Sequence, residues 1–431
     1  MSNYIIELGA PESCETSRVG PKSANQAALK RAGFPVPGGF CLAADAYRAQ
    51  IKALGLENSA SSAFATEDGM RARRYALDMK LGLLDKPIIP EILEPLLAAR
   101  RRLADETGAL LVVRSSALVE DREGASFAGQ FESFLGLEDE QEFMTAVRAC
   151  WGALWATRAL RYMATHELDP ADTAMAVLVQ PLISAHAAGG GMSQTADGGM
   201  LLSATWGLGS SIAQGEVTPD RYQLSAEGEV LETIAGRKDH SVGCVHRAEP
   251  MAQLVPKALM TTPCLDVAQA SELGRMMKRI AELMNMPVEI EWALDGAGFK
   301  LLQARPLHMR PAQETDKAWL HHPRLNGHPA GIGWGEGRAV VVNCECELAR
   351  VAPGDILVTK VAGPALSQVL PRVAGLVSEL GGSTSHLASL ARERGIPMVL
   401  GVHEATQRIP DGARMAVDGV AGVVRWIGQA G

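Results

Sequence analysis

The run of small and hydroxyl-bearing residues that ends in His386 is the part of the sequence best suited to covalent chemistry. Residues 381–386 read Gly-Gly-Ser-Thr-Ser-His, after an apolar strand pattern and before a helical segment that Gly395 and Pro397 end. His386 is therefore predicted to begin a helix, with neighbouring hydroxyl groups capping the free backbone amides. A helix N-terminus favours negative charge by about 0.3–2 kcal/mol and disfavours imidazolium, so His386 would be a mostly neutral nucleophile. A phosphoryl group on the ring would face the same amides; the alternative is a histidine with a purely structural role.

Two glutamates and a glutamine lie on neighbouring strand patterns and could bind a hard cation. Strands joined by a glycine-containing hairpin signal are predicted over 288–294 and 299–304. Because side chains alternate along a strand, Glu289 and Glu291 share one face. Carboxylates together with the amide oxygen of Gln303 suit Mg²⁺, which takes oxygen ligands and usually bridges phosphates. The same pattern also fits solvated charges on an exposed sheet face, and spacing alone leaves both interpretations open.

Two arginines and a loop of small residues are candidates for binding phosphate. A buried strand is predicted over 109–113 with Arg114 where it ends, and Arg305 stands at the end of another predicted strand. Guanidinium groups bind phosphate oxygens as planar donors, although both residues are equally compatible with surface arginines. Residues 124–130 read Gly-Ala-Ser-Phe-Ala-Gly-Gln, and the backbone of such a loop lets an anion approach closely.

Helix and strand patterns along the rest of the chain predict a mixed α/β protein. A helix is predicted over 93–107, and an amphipathic helix runs from Phe143 to Trp155 with its tryptophans in the core. Strands are predicted over 174–180 and 200–205, separated by a loop that carries three consecutive glycines, Gly189 to Gly191. These elements would form the scaffold for the candidate phosphate chemistry.

A linker and a small C-terminal unit follow. Between about residues 309 and 329 apolar periodicity is lost and prolines and glycines accumulate, which predicts an interdomain linker. The remaining part of the chain, roughly 100 residues, carries five strand patterns with helices between them, which favours a small α/β domain. The five strands are predicted near residues 339–343, 355–360, 375–378, 398–401 and 415–418.

Composition and charge exclude several classes of protein. Of 431 residues, 47% are hydrophobic and 21% charged, which is typical of a globular protein rather than a disordered or fibrous one. The net charge of −8 gives no overall attraction to nucleic acid or an acidic membrane. Because no leader and no apolar run of about 18 residues is evident, a cytoplasmic protein is expected. The seven scattered cysteines are expected to be reduced, and Cys344 and Cys346, predicted to share a strand face, lack the second pair that zinc requires.

Taken together, these motifs resemble the family of phosphoenolpyruvate synthase, pyruvate phosphate dikinase and rifampin phosphotransferase, and the resemblance spans nearly the whole chain. Its most specific parts are the segment that joins Arg114 to the small-residue loop, and the histidine motif followed by Ala-Arg-Glu-Arg-Gly-Ile-Pro at residues 391–397. Further segments similar to the family lie at residues 19–25, 33–40, 180–182, 215–222, 290–293 and 302–306.

The resemblance implies a fold, cofactors and residue roles. It implies an ATP-grasp nucleotide-binding domain over residues 1–310, a linker over 311–330, and a small swivelling phosphohistidine α/β domain over 331–431. ATP would transfer a pyrophosphoryl group to His386, giving AMP and then phosphate, before the phosphoryl group left on the histidine passes to an acceptor. The implied nucleotide-binding residues are Lys22, Arg114, Gly129, Gln180 and Arg305, and the implied Mg²⁺ ligands are Glu291 and Gln303.

Departures from the family pattern leave the acceptor open. Ser210 stands where the family often has glutamate, and Leu387 replaces a small residue after the histidine. The sequence shows no counterpart of the dikinases' phosphoenolpyruvate/pyruvate barrel or of the antibiotic-binding insert of rifampin phosphotransferase. Three hypotheses follow. The chain is a phosphotransferase that acts on a small hydroxyl- or carboxyl-bearing molecule, or it is a non-catalytic ATP sensor. Alternatively, it is one subunit of a split phosphoenolpyruvate synthase-like or phenylphosphate synthase-like enzyme, whose acceptor domain is a partner protein. Thr384 lies where some family members are switched by phosphorylation.

Overall fold

Apolar segments that are far apart in the sequence pair into one antiparallel sheet in the N-terminal part of the chain. The computed structural model describes residues 4–65, 68–121, 127, 129–242, 252–308, 319 and 322–427, which fall into two units. The first unit contains the described residues up to Ser184 together with Lys300–Arg305. Its strands are β1 (Ile5–Glu7), β2 (Phe40–Leu42), β3 (Leu111–Ala117), β4 (Ser133–Leu137) and β5 (Met175–Pro181). They lie in the order β1-β2-β5-β3-β4, each antiparallel to its neighbours.

Amphipathic helices cover this sheet, and the two that were predicted are present, although the second ends at Ala153 and does not reach Trp155. The predicted helix over 93–107 begins at Pro90 and ends at Thr107, where Gly108 takes a left-handed conformation with φ of 61°. The tryptophans of the second predicted helix are core residues, because Trp151 is fully buried and Trp155 donates from Nε1 to the hydroxyl of Tyr47 at 2.8 Å. The helices are α1 (Thr16–Arg31), α2 (Ala44–Ala53), α3 (Glu57–Ala65), α4 (Gly69–Asp85), α5 (Pro90–Thr107), α6 (Glu140–Ala153) and α7 (Thr157–Thr165).

A second antiparallel sheet lies at the start of the second unit, which holds the other described residues from Ala185 onward. Its elements are β6 (Ala187–Met192), β7 (Met200–Trp206), α8 (Ser210–Ala213), β8 (Asp220–Leu224), β9 (Val230–Ile234), β10 (His240–Val242), β11 (Ala252–Leu254), α9 (Val267–Met284) and β12 (Val288–Asp295). Five of these strands follow the order β12-β6-β7-β8-β9, while β10 pairs with β11. The next strand, β13 (Gly298–Pro306), supplies Lys300–Arg305 to the first unit.

The prediction of a loop at Gly189 to Gly191 is wrong, because these residues lie within β6. Glycine is depleted in strands because it contributes no side chain to the sheet face, which is why the pattern favoured a loop. Here the missing side chains make room for neighbours. A Cβ at Gly191 would lie 2.9 Å from Sδ of Met277 in α9, and a Cβ at Gly190, on the opposite face, would lie 2.8 Å from Cβ of Thr384. The strand therefore allows close packing on both faces.

The C-terminal sheet of the second unit contains all five predicted strands. Its elements are β14 (Arg324–Asn326), β15 (His328–Gly331), β16 (Trp334–Val342), β17 (Ile356–Thr359), β18 (Gly375–Ser378), α10 (His386–Arg394), β19 (Met398–Leu400), α11 (Ala405–Arg408), β20 (Arg414–Asp418) and β21 (Val423–Trp426). The strand order is β14-β21-β20-β16-β17-β18-β19-β15, with β16 to β19 parallel. Buried aliphatic residues such as Val358, Val377 and Val417 form its core. The short strands β14, β15 and β21 were not predicted.

The expectation that every cysteine is reduced is wrong for one pair. Cys344 and Cys346 form a disulfide, and they lie after β16 ends at Val342 rather than on a strand. The chain leaves the sheet at this point, which allows two cysteines separated by one residue to bond to each other. The predicted mixed helix and sheet fold class is confirmed. None of the helices in the described ranges is both long and apolar enough to cross a membrane.

Candidate active site

Lys22 is positioned by a kink in α1. Gly20 has φ of 72°, and a Cβ there would collide with the backbone of Ser116, so only glycine allows α1 to approach β3 this closely. The hydroxyl of Ser116 donates to Val19 O at 2.8 Å, which fixes the approach. Nζ of Lys22 consequently donates to Ser115 O at 2.7 Å and lies 3.1 Å from Oε2 of Glu120. The structure thus places the predicted phosphate-binding lysine directly beside β3.

Arg114 lies within β3, so the prediction that it stands at the end of a strand is wrong. The strand continues to Ala117 because Ser115 and Ser116, which the pattern assigned to the following loop, pair with β5. The guanidinium of Arg114 donates from Nη1 to Leu302 O at 2.6 Å and from Nη2 to Oε1 of Gln303 at 3.0 Å. This brings together a predicted phosphate-binding arginine and a predicted Mg²⁺ ligand of the first unit.

The remaining predicted nucleotide-binding residues also belong to the first unit. Gln180 is buried in β5 and donates from Nε2 to Pro37 O at 3.1 Å. Arg305 is buried near the end of β13, which is tied to α1 by the hydrogen bond from Asn25 Nδ2 to Ala304 O at 3.0 Å. Gly129 takes φ of 65° in a turn. Of the predicted small-residue loop, residues 124–126 and 128 lie outside the described residues, as do residues 311–318, 320 and 321 of the predicted linker.

His386 begins α10, as predicted. Ser385 is the N-cap, and its hydroxyl accepts from the amide of Ala388 at 3.3 Å. The prediction that the neighbouring hydroxyls also cap the helix is wrong for Ser383, which donates instead to Pro329 O at 2.5 Å. The hydroxyl oxygen of Thr384 is buried and has no hydrogen-bond partner among the described residues. His386 itself is partly exposed at the start of the helix.

The acidic face of β12 packs against α10. Glu289 is buried, and its carboxylate accepts from Nη2 of Arg392 at 2.8 Å and from the hydroxyl of Ser389 at 2.9 Å. Arg392, which is 3% exposed, also donates to the backbone oxygens of Ala330 and Ser383. The interpretation of Glu289 as a solvated charge on an exposed face is therefore wrong. A buried and charge-compensated carboxylate is also a poor candidate for holding a metal ion in this arrangement.

Glu291 lies two residues further along the same face, opposite Gly190 of β6. Because paired residues on neighbouring strands project to the same side, the close packing of Thr384 on Gly190 places the turn before His386 next to Glu291. The structure thus brings the turn that precedes the predicted nucleophile and one predicted Mg²⁺ ligand to one face of one sheet. The other predicted ligand, Gln303, belongs to the first unit.

The carboxylate of Glu291 and the amide oxygen of Gln303 are suited to Mg²⁺ only if phosphate oxygens complete the coordination. Within the described ranges, no group of three or more His, Cys, Asp or Glu side chains converges. Mg²⁺ usually keeps several waters and takes one or two carboxylates plus substrate phosphates, so a single carboxylate such as Glu291 with an amide oxygen is compatible with it. Gln303 keeps a second lone pair beyond the one that Arg114 uses.

The loop before His386 is also held by the segment before β8. The amide of Gly381 donates to Val217 O at 3.1 Å, and a Cβ at Gly382 would lie 2.6 Å from Cγ of Pro219. This segment is fixed in turn by Asp220, which is fully buried, forms an ion pair with Lys238 and accepts from Cys264 N at 2.7 Å. In the sequence, this supporting segment was indicated only by the resemblance of residues 215–222 to the family.

Sequence reasoning missed the partners of the predicted residues. Glu120, Ser389 and Arg392 hold Lys22 or Glu289 by direct contact, yet none was a candidate. Arg392 lies within the family-like segment 391–397. The sequence therefore showed that Arg392 belongs to a motif but did not predict its contact with Glu289.

Two protein-family models match successive parts of the chain. The family model described as the AMP/ATP-binding domain of pyruvate phosphate dikinase matches residues 16–323. The family model described as the mobile domain of PEP-utilising enzymes matches residues 351–422.

Curated relatives are similar over almost the whole chain. The phosphoenolpyruvate synthase of Aeropyrum pernix is 31% identical over 458 residues, covering 94% of this chain and 56% of the relative. The probable phosphoenolpyruvate synthase of Methanothermobacter thermautotrophicus is 29% identical, covering 98% of this chain and 63% of the relative. For the Escherichia coli phosphoenolpyruvate synthase the identity is 28%, with 94% and 55% covered. The chain therefore spans little more than half the length of these relatives. The solved ATP-grasp ligase PsnB gives a TM-score of only 0.25 at 11% identity over 69% of this chain and 55% of that one, a likeness too weak to support a conclusion.

Proposed function

The chain belongs to the family defined by the pyruvate phosphate dikinase AMP/ATP-binding domain, here followed by a PEP-utilising mobile domain, and from this premise we propose that it is an ATP-dependent phosphotransferase of the dikinase type. His386 carries the phosphoryl group, and the acceptor is a small hydroxyl- or carboxyl-bearing molecule. Residues 1–310 act as the nucleotide-binding domain in the cytoplasm, and residues 331–431 act as the domain that moves the histidine, with residues 311–330 as the linker.

The nucleotide is held through its phosphates and its base. Lys22, Arg114 and Arg305 neutralise phosphate oxygens, Gly129 belongs to the loop over them, and Gln180 lies beside adenine. Glu291 and Gln303 would hold Mg²⁺, which supplies charge neutralisation for the transferring phosphates when it is bound. Because phosphoryl transfer depends mainly on positioning and electrostatic stabilisation, loss of Arg114 is expected to lower the rate by about 10³-fold.

ATP, water, His386 and the acceptor account for every bond that is formed and broken in the proposed reaction. A ring nitrogen of His386 attacks the β-phosphorus of ATP, the bond to the α-phosphate oxygen breaks, and AMP leaves. Water then releases the γ-phosphate as inorganic phosphate, and the β-phosphoryl group remains on the ring. The acceptor hydroxyl or carboxylate attacks this phosphorus and restores neutral imidazole, so each cycle consumes one ATP and one water molecule.

The observation that supports this proposal most is the position of His386. It begins α10, is partly exposed, and follows a turn that packs on Gly190 opposite Glu291. A helix N-terminus next to a carboxylate that can take Mg²⁺ suits a histidine that alternates between a neutral and a dianionic state.

The fate of two isotopic labels tests the proposal. The protein is incubated with Mg²⁺ and ATP labelled at either the β- or the γ-phosphate, and protein-bound label and nucleotides are measured. We expect label from the β-position on the protein, label from the γ-position in inorganic phosphate, and AMP as the nucleotide product. ADP as the sole nucleotide product would contradict the dikinase route. ATP binding without turnover would favour the ATP sensor instead.

A further inference from the structure

A cavity of about 540 Å³ in the second unit lies outside the predicted site residues. One wall comes from the hairpin between β6 and β7 and from β8, and the opposite wall comes from residues 329–332 and 419–421 of the C-terminal part. Its volume is in the range of roughly 300–1,000 Å³ that is typical of sites for small organic molecules.

One buried polar atom of a residue that lines this cavity has no hydrogen-bond partner among the described residues. Arg221 lines the cavity from β8, and its Nε is buried without a hydrogen-bond acceptor among the described residues. With its amide oriented to satisfy both of its groups, Gln223 accepts from Nη2 of the same guanidinium and donates to Glu232. Arg392 also lines the cavity, but its Nη atoms already donate to four protein oxygens. Of the two described arginines that line the cavity, Arg221 is therefore the one with donor capacity left for a ligand.

The charges around Arg221 do not replace such a ligand. Asp197 and Glu232 act on it electrostatically, and neither carboxylate forms an ion pair with it among the described residues. Asp197 lines the same cavity and accepts from the hydroxyl of Thr195 in the β6–β7 hairpin. The imidazole of His328 is also close enough to be affected by the Arg221 charge, and burial lowers the pKa of His328 to about 4, so it is neutral near pH 7.

The rest of the lining is largely apolar. Side chains on both walls are hydrophobic, and two of them, Leu231 and Val420, are 70% and 37% exposed. Large apolar residues exposed around a cavity are typical of a binding site. The apolar lining residues are Met192, Met200, Leu201, Leu224, Leu231, Pro329, Ala330, Ile332 and Val420.

We propose that this cavity binds a small organic anion whose apolar body lies against the aliphatic walls and whose carboxylate or phosphate group accepts from Arg221. The planar Nη donors of a guanidinium match the oxygens of such a group. In this arrangement His386 does not line the cavity, so a ligand bound here acts as an effector that leaves the phosphoryl carrier free.

The position of the cavity predicts what the effector does. Since its opposite walls come from the β6–β8 sheet and from the C-terminal part, a bound molecule contacts both and stabilises the packing of α10 on β12. This consequence for catalysis rests on the proposed function, whereas binding and the stabilisation of α10 do not require ATP. Failure of the binding experiment and failure of phosphorylation at His386 are therefore separate results.

Calorimetric titration of the full chain without ATP tests the site. The acids are hexanoate, octanoate and 4-phenylbutyrate, and the matched neutral ligand is 4-phenylbutan-1-ol, which has the same body without the charge. We expect at least one acid to bind, 4-phenylbutan-1-ol to bind at least tenfold more weakly than its acid, and Arg221→Gln to weaken the acid at least tenfold. Arg275→Gln removes an exposed arginine that pairs with Glu229 and should leave binding unchanged.

Two further measurements keep the proposal testable if Arg221→Gln fails to fold. Val420→Trp should fill the mouth of the cavity and weaken the acid at least fivefold, and the bound acid should slow hydrogen exchange of α10. No binding by any of the three acids at millimolar concentration would overturn the proposal. So would equal binding of acid and alcohol, or an unchanged affinity in both the Arg221→Gln and the Val420→Trp proteins.

Discussion

The ion pair between Glu289 and Arg392 is expected to hold α10 on the sheet, and removing its cation should release the helix. The pair is 2.8 Å long, and its side chains are only 6% and 3% exposed. In Arg392→Met, the carboxylate of Glu289 stays buried and loses its ion pair, while the hydroxyl of Ser389 still donates to it. Removing one partner of a buried pair costs about 3–5 kcal/mol, because the other charge is left uncompensated.

Hydrogen exchange of α10 measures this cost locally, which is preferable in a chain whose units need not unfold together. A loss of about 3–5 kcal/mol corresponds to exchange that is roughly a hundredfold to a few thousandfold faster, since about 1.4 kcal/mol is tenfold. The double variant Glu289→Gln/Arg392→Met removes both charges of the pair and should exchange more slowly than Arg392→Met alone. Together with the rates of the wild type and of Glu289→Gln alone, these rates give the coupling free energy between the two residues.

An exposed pair of similar length provides the control. Arg275 and Glu229 are 2.9 Å apart, but their side chains are 53% and 62% exposed, so their coupling should stay below about 1 kcal/mol. If Arg392→Met changed the exchange of α10 by less than threefold, or if the double variant were no better than the single, the ion pair would not be what holds the helix.

Three further perturbations have defined outcomes. Thr384→Glu should abolish labelling of the protein by ATP because Thr384 packs on Gly190. The isosteric Thr384→Val should keep the labelling, since the hydroxyl oxygen makes no hydrogen bond among the described residues. Loss of labelling in both variants would contradict this prediction. The side chains of Lys238 and Asp220 are both fully buried, so Lys238→Met leaves a buried carboxylate without its ion-pair partner. This variant should lower the urea midpoint of the second unit more than the double variant Lys238→Met/Asp220→Asn does. The reverse order would show that the ion pair is not formed. Burial lowers the pKa of His328 from 6.5 to about 4, so the unfolded chain binds more protons than the folded chain between these pH values. The free energy of unfolding should therefore fall by up to roughly 3 kcal/mol as pH decreases from 6.5 to 4. The His328→Asn variant should flatten that pH dependence, and an unchanged slope would refute the prediction.

Local rules were enough to predict the elements whose signals are local. The C-terminal end of α5 is marked by a glycine that takes a left-handed conformation, and the start of α10 is marked by a serine cap before His386. The alternation that placed Glu289 and Glu291 on one face of β12 follows from the strand period alone. For the same reason the five main strands of the C-terminal sheet were predictable from short apolar runs.

The errors arise where distant parts of the chain determine the local structure. Gly189 to Gly191 form a strand because α9 and Thr384 fill the space that side chains would occupy, and neither neighbour is close in sequence. Arg114 lies inside β3 because the following serines pair with β5. The partner of Glu289 lies 103 residues away, so its burial depends on the topology and could not be inferred from an exposed-face pattern.

The most direct test of the central proposal is to locate the phosphoryl group after incubation with Mg²⁺ and ATP. Intact-protein mass spectrometry followed by fragmentation at neutral pH would be applied to the wild type, His386→Ala and His328→Asn. We expect one acid-labile phosphate on His386 in the wild type and in His328→Asn, and none in His386→Ala. A phosphate that persists in His386→Ala, or one that resides on any other residue of the wild type, would contradict the assignment of His386 as the phosphoryl carrier.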